Sequence, residues 1–200
     1  IDFKRQYSGI VLDVVFENRV EDLLRDEIDI AVRVIPEPPQ NLVARELGQV
    51  RYVACATREY AQSHALPTEL DELHSAPVIT AAVVGQQLRV SAYRGETRRE
   101  VVLEPTLISE NFLFLRQAIL AGIGIGLVPD YVVADDVARG EVVTMLDDWR
   151  LSIFGTKLFM VYMPNRQHTR AIRTFIDFVL ARASSAKQSF EDNTPESHAR

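Results

Sequence analysis

The chain has 200 residues, 47% hydrophobic and 25% charged, which suffices for one good core or two small lobes. Its formal net charge of -6 argues against holding DNA through a broad basic field. One cysteine, Cys55, excludes an internal disulfide, no apolar run approaches the roughly 20 residues of a membrane span, and no basic-then-apolar leader is visible.

In chain order, IDFKRQYSG is polar and reads as the end of a helix or a loop. IVLDVVF (Ile10–Phe16) is a continuous apolar run with β-branched residues, which predicts a buried strand. In ENRVEDLLRDE, Asn18 can cap a helix whose apolar face is Val20, Leu23 and Leu24. IDIAVRVI (Ile28–Ile35) is the next strand, and strand–helix–strand predicts a parallel pair. PEPP is a turn. LVARELGQVRYVACAT carries two strands broken near Gly48. REYAQSHA predicts a helix, and PTELDEL another that starts at Pro67 or Thr68. APVITA is a short strand, and LRVSAYRGETRREVVLE a hairpin turning at Arg94-Gly95-Glu96 with one wet face.

TLIS is a strand, and ENFLFLRQAILAG a helix with Phe112, Leu115 and Ile119 on one stripe. IGLVP is a buried strand; PDYVVADDVARG predicts a helix opened by Pro129 and closed by Gly140. VVTML and KLFMVYM are strands, and TRAIRTFIDFVLARA is the most strongly patterned helix. The polar end, residues 184–200, is expected to be disordered.

The run AGIGIGLVP raises the question of a nucleotide-binding loop. A dinucleotide fingerprint needs strand, GxGxxG, then helix, because the pyrophosphate sits on that helix's N-terminus. Here the helix comes first and the spacing is GxGxG. The glycines therefore read as a helix cap at Gly122 and close packing at Gly124 and Gly126.

The order helix, AGIGIGLVP, helix resembles the effector-binding domain of LysR-type transcriptional regulators, with its AGxGIxLLP run. RVEDLLRDEIDIAVRV is similar to that family's DLxxxxxDxAIR segment, NLVARELGQVRYVACATREY to its LVARxLGxxRxVxCASPxY segment, and RAIRTFIDFVLAR to its closing helix. Thr57-Arg58 departs from the usual Ser-Pro. The resemblance implies an α/β, two-lobed type 2 periplasmic-binding-protein-like fold, incomplete at the N-terminus. Lobe one takes 1–50 and 160–183, lobe two 51–159. The winged helix-turn-helix and the first strand of the effector domain are absent from the resemblance.

In open α/β sheets, ligands bind beyond the carboxyl ends of parallel strands. The polar and turn residues following the expected strands are Asn18, Arg33, Thr80, Ser109, Asn111 and Pro129. Arg33 can pair a ligand carboxylate bidentately or serve a structural ion pair with Asp29. Ser109 and Asn111 can present polar groups to an anion or simply cap a helix. Thr80 can equally be an ordinary strand-end residue. The four histidines lack metal-ligand spacing, no GxSxG elbow occurs, and Cys55 reads as packed, so no cofactor, metal or catalytic set is expected. The acids of LDDW and ADDV read as solvated charges.

The expected function is the effector-sensing domain of a bacterial DNA-binding transcription regulator, not an enzyme, binding a small metabolite between its lobes. A carboxylate or aromatic effector is what the resemblance implies, together with a cytoplasmic location, a homo-dimer or homo-tetramer, no membrane, and DNA contact through the absent N-terminal domain. Strand Ile10–Phe16 and helix Glu110–Ala121 are the expected dimer edges. The alternative is a solute-binding protein of a transporter.

Overall fold

The computed structural model describes residues 1–16, 28–81, 86–164 and 169–192, with side chains as far as 185. By backbone proximity the chain forms two compact units. Unit 1 gathers Ile1–Val15, Arg19–Gln49 and Lys157–Arg200; unit 2 contains Phe16–Asn18 and Val50–Thr156.

Unit 1 holds helix α1 (Asp2–Gln6), strand β1 (Ala31–Val34), β2 (Val43–Gln49), β11 (Lys157–Tyr162) and the long helix α5 (Arg170–Asp192). Its sheet runs β1-β11-β2, antiparallel throughout. The central strand β11 is apolar because both its faces are covered. Met160 and Tyr162 meet Ile172, Ile176, Val179 and Leu180 of α5. Phe159 and Val161 on the other face pack with Ala31 and Ile35. Phe3 of α1 wedges edge-on against Phe175 and Phe178, at 4.9 and 5.2 Å between ring centroids.

Two expectations fail in this part of the chain. Ile10–Phe16 pairs with no strand among the described residues and is exposed, Val11 at 86% and Phe16 at 90%. Strand β1 therefore has an antiparallel neighbour, not a parallel one. Apolar, β-branched composition fits a residue to a pleated, half-buried surface, but a strand exists only where a backbone partner accepts it. The helix expected over Asn18–Glu27 lies outside the described residues. At the far end, α5 continues to Asp192, into the tail expected to lack structure.

The strands of unit 2 are β3 (Tyr52–Thr57), β4 (Val78–Ala81), β5 (Leu88–Arg94), β6 (Thr97–Leu103), β7 (Leu107–Ser109), β8 (Ile125–Pro129), β9 (Val142–Met145) and β10 (Arg150–Ser152). They form one mixed sheet in the order β6-β5-β10-β3-β8-β4-β7, with β9 also pairing β3. Only β4 runs parallel to its neighbours, β7 and β8. The sequence pattern does not foretell β10; three residues beginning at an exposed Arg150 give too little alternation to read. Helix α2 (Arg58–Ser63) is capped by the Thr57 hydroxyl, which accepts from Tyr60 N at 3.1 Å. That hydroxyl supplies the turn where the sequence departs from Ser-Pro.

PTELDEL forms a 3-10 helix over Leu70–Ser75, later than expected, because Glu69 and Glu72 close a capping box there. The helix expected from Pro129 to Gly140 is broken into a 3-10 turn, Asp130–Val132, and α4 (Ala134–Ala138). Pro129 itself remains in the sheet opposite Tyr52.

Helix α3 (Phe112–Leu120) lays Leu115, Ala118 and Ile119 on Val53, Cys55, Ile79 and Val128. The glycine run makes this packing possible. Gly122 ends α3 with φ at +69°, and a Cβ on Gly124 would lie 2.2 Å from the Pro77 carbonyl oxygen. That same oxygen accepts from Ile125 N at 2.9 Å, which locks β8 beside the chain entering β4.

Candidate functional site

Three loops of unit 2 leave the carboxyl ends of β4, β7 and β8 on one edge of the sheet. The loop after β4, residues 82–85, lies outside the described residues. The other two are held together locally. Ser109 Oγ accepts from Asn111 N at 3.1 Å, and Asn111 Oδ1 accepts from Leu113 N at 2.9 Å and Phe114 N at 3.1 Å. Asn111 is thus the N-cap of α3, and its side-chain oxygen occupies two of the N–H groups that an anion at this helix end would need. The Phe112 ring meets Tyr131 edge-on at 6.2 Å, tying the β7–α3 turn to the end of β8. Tyr131 still shows more than half its surface. Burial of its phenol, followed by the neighbouring Asp130 carboxylate, pushes its pKa up, so it stays a neutral hydroxyl at physiological pH.

The expected site residues separate into groups. Ser109, Asn111 and Pro129 share this edge. Thr80 is fully buried, and its hydroxyl donates to the Leu127 carbonyl at 3.0 Å. It therefore lies inside the core, on a strand paired on both sides by β7 and β8, and its hydroxyl is taken up by the sheet's own backbone. Arg33 belongs to unit 1, half-buried on β1 opposite Phe159, and is engaged in an interaction. It shares its face with Ala31, so its stem runs over an apolar cluster. Asn18 falls outside the described residues.

A buried charge cluster escapes the sequence reading. Asp136, expected to be solvated, is fully buried. Arg116 of α3 grips it with two donors, Nε at 2.7 Å and a terminal nitrogen at 2.5 Å, and Arg139 adds a third. The hydrogen bond from Arg116 holds the Asp136 carboxyl well below the usual carboxylate range, with both guanidinium charges assisting against burial. The one signal in the sequence is Arg139, three residues after Asp136; the partner twenty residues upstream carries none. The cluster staples α3 to α4, which fixes the α3 end of the edge just described. Cys55 is sealed in the sheet, and burial, then the nearby Asp136 charge, pushes its thiol up to about 12. It is a packed residue with no thiolate character at neutral pH. Among the described residues, no group of three His, Cys, Asp or Glu side chains could hold a metal ion.

The family model of the LysR substrate-binding domain matches residues 2–184. Among curated proteins, a helix-turn-helix-type transcriptional regulator of Xanthomonas campestris is 29% identical over 90% of this chain and 53% of its own length. The probable regulator LtrA of Klebsiella pneumoniae is 26% identical over 88% of this chain and 58% of its own length. The chain thus spans little more than half of these relatives. Among solved structures, the full-length Vibrio cholerae virulence activator AphB superposes with a TM-score of 0.76 at 27% identity, covering 91% of this chain and 61% of that one. The regulatory domain of AphB from Vibrio vulnificus gives 0.73 at 26%, covering 90% of this chain and 88% of that one.

Proposed function

The chain belongs to the LysR substrate-binding domain family, and on that premise we propose that it is the effector-sensing part of a longer bacterial transcription regulator. The family match over residues 2–184 carries this reading. The relatives being transcriptional regulators, the transporter alternative is not favoured. On the same ground, the relatives being regulators, an enzyme is not proposed either.

In this reading a small metabolite binds against the β7–α3–β8 edge of unit 2. The aromatic faces of Phe112 and Tyr131 and the Ser109–Asn111 turn supply the contacts, with Pro129 setting where the chain leaves the sheet. Because Asn111 already takes the Leu113 and Phe114 N–H groups of α3, this edge favours an aromatic effector over a simple anion. Arg33, on β1 of unit 1, is kept as a separate proposed position, since a guanidinium can pair a carboxylate with two hydrogen bonds. Differential affinity for two conformations then biases the regulator between states. Asn18 and Thr80 remain proposed as supporting positions only, Thr80 through the strand it steadies.

The chain also works as a homo-dimer or homo-tetramer in this reading. Val11, Val14 and Val15 in unit 1, and Ile108, Leu113 and Phe114 in unit 2, expose apolar surface of the kind that marks a contact. DNA contact is assigned to a part of the whole protein outside these 200 residues, and a cytoplasmic location goes with that assignment. No helix among the described residues is long and apolar enough to cross a membrane.

Thermal-shift titration with benzoate, salicylate and malate tests the effector reading. A ligand at about 100 times its Kd adds about 2.7 kcal/mol, a shift of several degrees. One aromatic acid should give that shift and malate should not; malate alone shifting the melt would sink the aromatic preference. Sedimentation tests the assembly: the Leu113→Glu/Phe114→Glu chain should be monomeric and still melt cooperatively, at a temperature no longer dependent on concentration, and a monomeric wild type would refute the dimer.

A further inference from the structure

We propose that the wet face at the β6–β5–β10 end of unit 2 is a docking surface for an acidic protein segment, held by the cross-strand row Arg98–Tyr93–Arg150. The register puts Arg98 of β6 and Arg150 of β10 on either side of Tyr93 of β5. The two guanidiniums flank the Tyr93 ring at 5.8 and 4.6 Å from its centroid. At the end of the same strand, Arg94 lies 4.3 Å over the ring of the buried Trp149. Alternate residues of β5 and β6 (Leu88, Val90, Ala92, Val101 and Leu103) fill the core on the opposite face.

What distinguishes this row is its charge. Acids outnumber bases in the chain, 28 to 22, so a surface arginine has many carboxylates to choose from. Several take one: Arg89 pairs with Glu100, Arg99 with Asp71, Arg139 with Glu141 and Arg182 with Asp2. Among the described residues, Arg94, Arg98 and Arg150 pair with no carboxylate and stack on aromatic rings instead. Stacking fixes the guanidinium plane and leaves its N–H edge for a second partner. A stacked, immobilised guanidinium loses little freedom on taking a planar carboxylate with two parallel hydrogen bonds.

Two plainer accounts cover the row poorly. Charges on an edge strand guard against strand pairing, which suits Arg98 on β6. Arg150 needs no such role, since β10 lies two strands in from that edge. A nucleic acid would also meet guanidiniums, but a duplex carries one charge per roughly 1.7 Å and would extend past this short row onto a chain of net charge -6. A short acidic segment places its few carboxylates on the row alone. Strands about 4.8 Å apart set Arg98 and Arg150 about 10 Å from each other, within reach of one such segment.

Fluorescence anisotropy of a labelled oligoglutamate peptide at about 50 mM salt tests this on the 200-residue chain. Wild type should bind saturably, and Arg98→Ala/Arg150→Ala should bind about tenfold more weakly. Arg45→Ala, an exposed arginine of unit 1, should bind like wild type. Tyr93→Ala should weaken binding with both arginines present, whereas Tyr93→Phe, which keeps the ring, should not. Thermal melts confirm that each variant is folded. No saturable binding, or equal binding by the double variant, overturns the proposal. Tighter binding of a duplex of about 20 base pairs through the same arginines overturns it in favour of nucleic acid.

Discussion

Unit 2 draws its sheet from one uninterrupted stretch, Val50–Thr156, whereas unit 1 completes its sheet with β11, which comes from more than a hundred residues beyond β1 and β2. The cores differ accordingly. Of the largest fully buried side chains, all but Met160 belong to unit 2. Both units also leave apolar residues in water, Val11, Val14 and Val15 in unit 1 and Leu113, Phe114 and Ile123 in unit 2. A sheet whose neighbours arrive from the adjoining chain can close locally. One whose central strand must find partners from far along the chain loses more loop-closure entropy for each contact, and here it buries fewer large side chains completely.

Glycine-to-alanine changes give the sharpest probe of that contrast. At Gly124 a methyl would strike the Pro77 carbonyl oxygen at 2.2 Å, and that oxygen cannot retreat without losing Ile125 N. Gly124→Ala should cost about 3 kcal/mol in urea unfolding. Gly48 in β2 of unit 1 has nothing within 4 Å of its would-be Cβ. Gly48→Ala should leave stability within about 0.5 kcal/mol. If both changes proved equally mild, unit 2 would not be the tightly closed lobe.

Next in size comes the buried Asp136. Asp136→Asn removes the acceptor charge for Arg116 and Arg139 and should cost about 3 kcal/mol at pH 7, at the lower end for breaking a buried pair because both arginines are partly exposed. The pH dependence follows from a folded-state pKa held below the ordinary value near 4. The contribution is fully present above that ordinary value and is lost as pH falls through the depressed one. Wild-type stability should therefore fall toward pH 2 more steeply than that of Asp136→Asn. Parallel acid limbs would mean that the cluster contributes nothing.

Periodicity makes most of unit 2 legible. The hairpin, α3 and the glycine-rich approach to β8 are written in local pattern: alternation in the first, a three-and-four stripe in the second, and glycine punctuation in the third. Gly95 turns the hairpin at φ +57° and Gly122 ends α3 at φ +69°, each where a glycine punctuates the sequence. What stays illegible depends on partners. Ile10–Phe16 has strand composition without a strand neighbour among the described residues, and β10 has a neighbour without strand composition. Asp136 looks like any helix-surface acid until Arg116 comes across from α3. Thr80 reads as a strand-end residue, yet it is fully buried and its hydroxyl bonds the Leu127 carbonyl. Site residues fare worse than elements because a polar side chain at a strand end has the same appearance whether it faces a ligand or satisfies its own backbone.

Asn111 is where those two uses separate, with the smallest effect. As an N-cap it accepts from Leu113 N and Phe114 N, and Asn111→Ala should cost about 1 kcal/mol whether or not an effector touches it. Asn111→Asp keeps the cap, since aspartate accepts the same two bonds and suits the positive end of the helix. Its melt should match wild type. A charged effector group resting near that amide would now meet a carboxylate, and affinity should drop about tenfold with stability intact. Stability lost in Ala, kept in Asp, and affinity unmoved in both would assign Asn111 to the fold alone. The recognition at this edge would then rest on the Phe112–Tyr131 pair, which a Tyr131→Ala chain would expose by losing affinity while Tyr131→Phe retained it.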